Sequence, residues 1–570
     1  MLKKLFPALL SLSVSVSLVG ASESANTKKT SRSNTPVDIK VVPVGPSQET
    51  VDQIKLRVER SSLVQKELRS SNYRLITFKY LETNEKGTNG VFAPERFRAT
   101  FYDYTNDRTI VADGNLATPE AVRVFEDAEK PSKVSEEEFE YATRLLQQSP
   151  EFGVSLKSGN MRVYRPMPPV TISAAGERIV NIGLESVGSS AQNQIVGVSF
   201  KRDAIVRYAN NAPPTSKAIP ESCGIPGSPG STTGAAGQYQ LTVARNGTTL
   251  WEMLVLRPGA SSGVNGSGVE VRDVRYRGKS VLKRGHVPIL NVEYARGECG
   301  PYRDWQDEEG SFQAPEAGAT NPAPGIRILA PGQIATTALE TGSDVGNFRG
   351  VAIYTQNNET VMVSEMNAGW YRYIMEWRFA DDGTIRPRYG FGATNNSCVC
   401  YVHNHHAYWR FDFDIVQPNN KIFQIERGRK FLAPVRNEMT TLRNYQTNKS
   451  LLIQNASGDE AYMLTPNVTD GKADTYGVSD LWVLRYKSVE GGSSRQNEID
   501  DGITCVTCAN SYIQINPFVN GESVENQDSV VWYGTHFIHS DGQNLLDPDR
   551  NGLVLSGSHV VGPDIHPVRW

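Results

Sequence analysis

The sequence predicts a mostly β protein with α+β parts, in which two small N-terminal α+β domains are followed by a large β-sandwich domain. Two early helical patterns, Ser47–Arg69 and Ser135–Pro150, each precede short runs rich in β-branched and aromatic residues. From Gln238 to Trp570 no long helical pattern occurs, and short strand-like runs alternate with Gly, Asn and Pro. Such a succession of short strands is typical of a large sandwich.

Chain length and net charge indicate the number of domains and the kinds of binding partner. A chain of 570 residues is too long for one compact core, so several domains are expected. The net charge is −3, from 59 basic and 62 acidic residues. Because a nucleic-acid surface needs a clear basic excess, this near balance argues against a nucleic-acid partner.

The N-terminus has the pattern of a secretory signal peptide. Lys3 and Lys4 precede the apolar run Leu5–Gly20, and the small residue Ala21 follows. A transmembrane anchor is the alternative, but the run is short and contains serines and a proline. We therefore expect a signal peptide over 1–24, a secreted or periplasmic protein, and no membrane span after cleavage.

Six cysteines are consistent with export, because even cysteine counts in oxidising compartments favour disulfides. The two close pairs in the sequence could instead supply thiolate ligands to a soft metal. We expect disulfides, with a pairing that the spacing leaves open. The six are Cys223, Cys299, Cys398, Cys400, Cys505 and Cys508.

Composition shifts divide the rest of the chain. Residues 25–45 are polar and are predicted to form a flexible leader. The first α+β domain is predicted over 46–131 and the second over 132–211. Residues 212–237 are dense in Pro, Gly, Ser and Thr and are predicted to form a linker. The large β-sandwich domain then occupies 238–570.

The two helices have recognisable internal signals. Val51, Ile54 and Val58 recur at three- and four-residue steps, which favours one buried helical face. Ser135 and Glu138 have the spacing of a capping box, which predicts a helix beginning at that serine.

Histidines are concentrated late in the chain, since seven of the eight lie after residue 400. His403 and His405 are alternate residues of a predicted strand, so their side chains point to one side and could share a metal, whereas His406 points to the other. Imidazole suits copper or zinc. A pair of hydrogen-bonded polar histidines is the alternative. A third ligand must come from a later segment, with His536, His539 and His559 available.

Several blocks, taken together and in order, resemble the catalytic domain of copper amine oxidases. The two N-terminal units resemble the paired small domains of that family, so the likeness covers most of the chain, with a shortened catalytic domain. The blocks are "GWYRYIMEWRFADDGTIRPRYGF", "VHNHHAYWRFDFDI", "DSVVWYGTHFIH" and "HVVGPDIHPVRW".

The resemblance implies an oxidoreductase with copper and a tyrosine-derived quinone, topaquinone. Such an enzyme oxidises primary amines to aldehydes with O2, and it releases hydrogen peroxide and ammonia. A carboxylate base removes a proton from the substrate. The family resemblance also implies a homodimer.

The same resemblance assigns roles to residues of this chain. It implies Tyr371 as the quinone precursor and His403 and His405 as copper ligands. For the third ligand the blocks disagree: one implies His539, which the spacing from Trp532 and Asp528 favours, and another implies His559 as the alternative.

The resemblance implies a tyrosine near the quinone and a short segment that contains the base. Tyr294, in "NVEY", matches a family tyrosine that forms a hydrogen bond with the quinone. The base is expected in "YRDWQDEEG", where Asp304 and Asp307 are candidates and Glu308 has nearly the right spacing. A solvated acidic turn is the alternative reading of these carboxylates.

A second, calcium-like site is also implied. Its oxygen donors suit a hard cation, and the alternative is a group of solvated aspartates at a strand end. The residues that match it are Asp412, Phe413, Asp414, Asp528 and Ser529.

Two substitutions flank the quinone precursor. The family pattern has asparagine before that tyrosine and an acidic residue after it, whereas this chain has Trp370 and Arg372. An indole could restrict movement of the ring, and a guanidinium beside it would favour an anionic quinone. These two residues favour a first alternative, a copper-binding relative without a functional quinone. A second alternative, of a different class, is an extracellular β-sandwich interaction protein whose metal is only structural.

Overall fold

Antiparallel strands dominate this structure, a computed structural model, and confirm the predicted mostly β class. The predicted signal peptide, the first part of the predicted leader and most of the predicted linker lie outside the described residues. The described residues are 37–81, 93–166, 169–187, 194–208, 223–227, 237–263, 265–294, 302–400, 403–426, 433–443, 449–471, 479–486, 515–539, 545–547, 552–554 and 560–570.

The end of the predicted leader is a strand. Strand β1, Val37–Pro43, pairs antiparallel with residues 239–245 of the large sheet. The prediction of a flexible leader up to residue 45 is therefore wrong for this segment. Its alternating Val37, Ile39 and Val41 pack against the main core, which is the period-two pattern of a strand that is buried on one face.

The first small α+β unit contains two helices and a four-stranded sheet. The side chain of Ser47 caps the first helix by accepting from the Thr50 amide, and Val51, Ile54 and Val58 are buried, as their spacing predicts. The elements are α1 (Gln48–Glu59), α2 (Ser62–Leu68), β2 (Tyr73–Leu81), β3 (Arg96–Asp103), β4 (Arg108–Asn115) and β5 (Thr118–Asp127).

The second α+β unit has the predicted capping box. The Ser135 side chain accepts from the Glu138 amide, and the Glu138 carboxylate accepts from the Ser135 amide. Glu138 also pairs with Arg178, and both side chains are fully buried. The elements are α3 (Glu136–Gln148), α4 (Gly153–Lys157), β6 (Met161–Tyr164), β7 (Val170–Ile172), β8 (Arg178–Ser186), β9 (Gln194–Ser199) and β10 (Ala204–Val206).

The remaining strands, with one short helix, form the large domain. Most of them join β1 in one extensive sheet, and β30 and β31 form a separate hairpin. They are β11 (Gln238–Arg245), β12 (Thr248–Leu256), β13 (Glu270–Tyr276), β14 (Lys279–Tyr294), β15 (Tyr302–Arg303), β16 (Thr320–Ala323), β17 (Ile326–Ile328), α5 (Ala338–Thr341), β18 (Val351–Gln356), β19 (Glu359–Ala368), β20 (Tyr371–Ala380), β21 (Ile385–Ala393), β22 (His403–Phe413), β23 (Asn419–Ile425), β24 (Ala433–Pro434), β25 (Met439–Thr441), β26 (Ser450–Gln454), β27 (Ala461–Thr465), β28 (Leu481–Arg485), β29 (Gln527–His539), β30 (Leu545–Asp547), β31 (Gly552–Val554) and β32 (Asp564–Arg569).

The strands that carry the predicted site are buried on both faces. On β22, Ala407, Trp409 and Phe411 enter the main core, whereas Tyr408 belongs to a second cluster on the opposite face. Strand β22 pairs with β14 on one side and with β29 on the other. Side chains on this central strand are thus held between neighbours and shielded from water.

Residues 223–227, inside the predicted linker, are attached to the large domain. Cys223 forms a disulfide with Cys400, and backbone bridges join Cys223 to Asn396 and Ile225 to Thr394. Cys398 is also disulfide-bonded, so the expectation of disulfides is confirmed for these three cysteines. Cys398 and Cys400 lie in a 3-10 turn, Ser397–Cys400, and not on the strand. Among the described residues, no helix is long and apolar enough to cross a membrane.

Candidate metal centre

Three histidines from two paired strands converge inside the large domain. In the register of β22 and β29, His403 lies opposite His539, and alternation places His405 on the same face as His403. All three are buried, and one ligand atom of each lies within 4.8 Å of the others. The structure thus brings together the three residues predicted to hold copper.

The nitrogen atoms of this cluster suit a bound metal. His403 Nε2 lies 2.9 Å from His539 Nδ1. The Nε2 atom of His405 is buried and has no hydrogen-bond partner among the described residues. Burial, together with neighbouring histidines, holds the pKa values of His405 and His539 well below the ordinary value. Neutral rings expose lone pairs, so the cluster fits a copper or zinc ion with a further position open.

Tyr371 lies directly beside these histidines. Its hydroxyl is 2.8 Å from His403 Nε2, and its ring meets that of His405 edge-on, with centroids 4.8 Å apart. Ala368 pairs with Tyr371 across the hairpin, and Gly369 begins the two-residue turn with a φ of 59°. A left-handed first turn residue is typical of a type II′ hairpin, so glycine suits this position. The turn delivers Tyr371 as the first residue of β20.

The two residues that flank Tyr371, Trp370 and Arg372, have different contacts. The ring of Trp370 lies 6.1 Å from that of Tyr371, centroid to centroid, and is buried. Arg372 forms a salt bridge with Asp344, with Nη2 2.8 Å from Oδ2, and also donates to the carbonyl of Gly369. The guanidinium is therefore engaged with Asp344 and with the backbone carbonyls of Gly369 and Tyr371.

The candidate base residues have different surroundings. Asp304 is buried and accepts a hydrogen bond from the Tyr373 hydroxyl, and its Oδ1 atom has no partner among the described residues. Burial raises the pKa of Asp304 to about 8, against the opposing effect of the Tyr373 hydrogen bond. Asp304 is therefore a carboxyl group in a dry site.

The other two candidate bases are paired with cations from the second α+β unit. Asp307 contacts the ammonium group of Lys133, and Glu308 lies 3.1 Å from the guanidinium of Arg165. The alternative of a solvated acidic turn is wrong, because all three candidate carboxylates are buried. Tyr294 lies opposite His403 in the register of β14 and β22, and its side chain is outside the described part of the chain.

Tyr373 is a site residue that the sequence analysis missed. Its hydroxyl donates to Asp304 and lies 3.4 Å from His405 Nδ1, so it connects the carboxyl group to the histidine cluster. Phe391 and Phe537 stack on the His405 ring and exclude water. The available signal was period two, since Tyr373 faces the same side of β20 as Tyr371.

A second cluster contains three carboxylates. Asp412, Asp414 and Asp528 each offer an oxygen within 4.8 Å of the others. The side chain of Phe413 belongs to the main core, so only its backbone could bind a cation. Ser529 follows Asp528 on β29 and pairs with Arg485 of β28. An all-oxygen group of this kind suits a hard cation such as calcium.

The remaining late histidines fall into two groups. His406 points to the face opposite His405, as predicted, and there meets His536. The alternative third ligand, His559, lies outside the described residues.

Comparisons with known proteins bear on the fold. The sequence matches no protein-family model and no curated protein. A copper-containing benzylamine oxidase from Hansenula polymorpha is similar in structure, with a TM-score of 0.52 and 13% identity over 92% of this chain and 97% of that chain. A lysyl oxidase from Pichia pastoris has a TM-score of 0.52 and 11% identity over 92% of this chain and 89% of that chain. The chain therefore shares the fold of copper-containing amine oxidases.

Proposed function

We propose that this protein is a copper-dependent oxidoreductase that converts primary amines to aldehydes with O2 and releases hydrogen peroxide and ammonia. The observation that carries the proposal is the Tyr371 hydroxyl 2.8 Å from His403 Nε2, inside a buried three-histidine cluster. A phenol beside a redox metal has the position that oxidation to a quinone requires. The shared fold supports the same reading.

The metal ligands in this proposal are His403, His405 and His539. When bound, copper and a quinone made from Tyr371 supply the redox chemistry that amino acid side chains lack. The protein contributes an environment without water, because Phe391 and Phe537 cover the His405 ring. Exclusion of water protects reactive groups and strengthens polar interactions in the site.

Asp304 is the proposed general base. Its free Oδ1 atom would take the α-proton of the amine, while the hydrogen bond from Tyr373 orients the carboxyl group. Only the ionised form of Asp304 can take this proton. The raised pKa, about 8, makes that form a stronger base than an ordinary aspartate, and it becomes populated as pH rises through about 8. Its connection through Tyr373 to His405 supports this assignment over Asp307.

Asp307 and Glu308 are proposed to position the segment that contains Asp304. Their partners Lys133 and Arg165 come from the second α+β unit, far away in sequence. A carboxylate engaged with a cation is stabilised in its charged form and is a weaker base. The ion pairs therefore support a structural role for these two residues.

Trp370 favours the alternative, a copper-binding relative without a functional quinone. Its buried indole occupies space next to Tyr371, where it would restrict rotation of a modified ring. In this alternative the histidine cluster still binds copper, and Tyr371 remains an ordinary tyrosine.

Three further properties are part of the proposal. The carboxylates of Asp412, Asp414 and Asp528 would bind calcium. Export is supported by the N-terminal signal pattern and by the disulfide between Cys223 and Cys400. A homodimer is proposed from the resemblance to copper amine oxidases.

The decisive experiment is aerobic copper loading of the full chain, followed by a quinone-specific stain and visible absorption. We expect colour, and peroxide release from benzylamine or a short alkylamine. Tyr371→Phe should abolish both signals. Tyr354→Phe is a matched control, because Tyr354 is a buried tyrosine in a different core cluster and should leave both unchanged. Stoichiometric copper with neither colour nor peroxide would refute the oxidase and support the copper-binding alternative.

A further inference from the structure

A second histidine pair lies on the reverse face of the two strands that hold the first. In the register of β22 and β29, His406 is opposite His536, three residues along each strand from the pair His403 and His539. Strand alternation turns the two pairs to opposite faces of the sheet. His406 and His536 are both buried, with at most 1% of their surface exposed.

The nitrogen contact in this pair resembles that in the first. His406 Nδ1 lies 2.8 Å from His536 Nδ1, whereas His403 Nε2 lies 2.9 Å from His539 Nδ1. Each contact brings together two ring nitrogens that a metal ion could bridge with modest side-chain adjustment. The same strand pairing thus produces two similar nitrogen pairs, one on each face.

The outer nitrogen of His536 is held by acceptors. Its Nε2 atom lies 3.1 Å from the Ser479 carbonyl oxygen and 3.2 Å from Asp480 Oδ1. A carbonyl oxygen only accepts hydrogen bonds, so Nε2 carries the proton and, in a neutral ring, Nδ1 carries the lone pair. Metal-binding histidines commonly donate their other N–H to a carboxylate or carbonyl in this way.

A possible oxygen ligand lies on the neighbouring strand β14. Asn291 of β14 is directly opposite His406, so their side chains share a face. The Oδ1 atom of Asn291 is buried and has no hydrogen-bond partner among the described residues. A buried acceptor of this kind costs free energy unless a donor or a cation satisfies it.

We propose that His406, His536 and Asn291 form a second transition-metal site, which binds an ion of the zinc or copper class. Two imidazole nitrogens and an amide oxygen suit these borderline ions better than calcium, and a fourth position would remain for water. The site uses none of the carboxylates of Asp412, Asp414 and Asp528, and it does not depend on amine oxidation.

An ion in this site would join β14, β22 and β29. These strands also position the first histidine cluster, since β22 contributes two of its histidines and β29 contributes the third. The second ion would therefore act as a structural link behind the first site. Its loss should lower thermal stability while the first site keeps its own ligands.

The test is zinc stoichiometry of the full chain, measured by elemental analysis after loading with Zn²⁺ in excess Ca²⁺ and dialysis. We expect two zinc ions per chain in the wild type. His536→Ala should retain one, the double variant His403→Ala and His405→Ala should also retain one, and the combined triple variant should retain none. His566→Ala, on β32, is the matched control and should retain two.

A second pair of variants covers the case in which His536→Ala fails to fold. Asn291→Asp adds a charged ligand and should tighten binding of the second zinc ion at least tenfold, whereas Asn291→Leu should weaken it at least tenfold. A wild type that binds one zinc ion, or a second ion unaffected by changes at His536 and Asn291, would overturn the proposal and leave an ordinary hydrogen bond between the two histidines.

Discussion

Burial shifts the pKa values of single side chains in the site. Asp304 is the clearest case, because its carboxyl group has lost water and, among the described residues, gained only the Tyr373 hydroxyl as a donor. Desolvation penalises the charged form, so the folded protein favours a protonated Asp304 up to about pH 8. A residue in this condition lowers stability when it is forced to ionise.

The first prediction follows from that condition and concerns the metal-free protein. In the unfolded chain, aspartate ionises near pH ~3.9. Stability from neutral Asp304 is thus fully present below about pH 4 and is lost as pH rises through about 8. Between pH 5 and pH 9 the urea midpoint of the wild type should fall by the equivalent of several kcal/mol. That of Asp304→Asn should fall much less.

The control for this experiment is Asp344→Asn. Because Asp344 is paired with Arg372, and arginine stays charged over this pH range, its removal should not flatten the decline with pH. Equal declines in the wild type and in Asp304→Asn would show that Asp304 ionises normally.

At the scale of elements, one turn decides where Tyr371 lies. Gly369 adopts a φ of 59° between β19 and β20, and a side chain there would strain the backbone by about 1–2 kcal/mol. Only Trp370 lies between Gly369 and Tyr371 in the chain, so a change in the backbone of the turn should also move Tyr371 in the site. Glycine at this position is explained by backbone geometry.

The second prediction compares two glycines in hairpin turns. Gly369→Ala should lower the free energy of unfolding by about 1–2 kcal/mol and also weaken copper binding or quinone formation. Gly278, with a φ of 78°, lies in the turn between β13 and β14 with open space around it. Gly278→Ala should cost similar stability and leave copper unaffected. Denaturation and copper titration measure the two effects, and equal copper affinity in both variants would contradict the coupling.

The third prediction concerns the third copper ligand on β29. His539→Ala should weaken copper binding at the first site at least a hundredfold, because its Nδ1 lies in the ligand cluster, and His559→Ala should have little effect. Competition titration with a copper chelator gives both affinities. The reverse result would assign the third ligand to His559.

At the scale of the whole molecule, distant segments hold the large domain in place. Strand β1 pairs with β11 across about two hundred residues of chain, and Lys133 and Arg165 reach the segment that contains Asp304. The disulfide between Cys223 and Cys400 spans 177 residues and secures the turn that precedes β22. These long-range connections fix the site from outside the sandwich.

The fourth prediction tests that disulfide. The double variant Cys223→Ser and Cys400→Ser should lose about 2–4 kcal/mol of stability, because the cross-link restricts the unfolded chain. Its copper affinity should also fall, since β22 begins three residues after Cys400. Denaturation under non-reducing conditions and copper titration check both outcomes. A variant with wild-type stability and affinity would mean that the sheet alone positions β22.

Local patterns in the sequence were sufficient for several features. The capping box at Ser135 and the buried face of the first helix depend on residues within one or two turns, and both are observed. The facing of His403 and His405 follows from the period of a strand, and it too is observed. The alternation of apolar residues in 37–43 is also visible in the sequence, but the polar residues before this segment favoured the prediction of a flexible leader.

The choice among the acidic residues required the tertiary structure. Asp304, Asp307 and Glu308 are close in sequence, yet only Asp304 meets Tyr373, while Lys133 and Arg165 engage the other two. The partner of Arg372, Asp344, likewise comes from another segment. Sequence alone determined the mostly β class and the strand period that pairs the histidines, because those depend on neighbouring residues. Which carboxyl group is buried without a cation, and which cation forms a salt bridge, was decided only by the tertiary structure. Burial and charge pairing depend on residues that are distant along the chain.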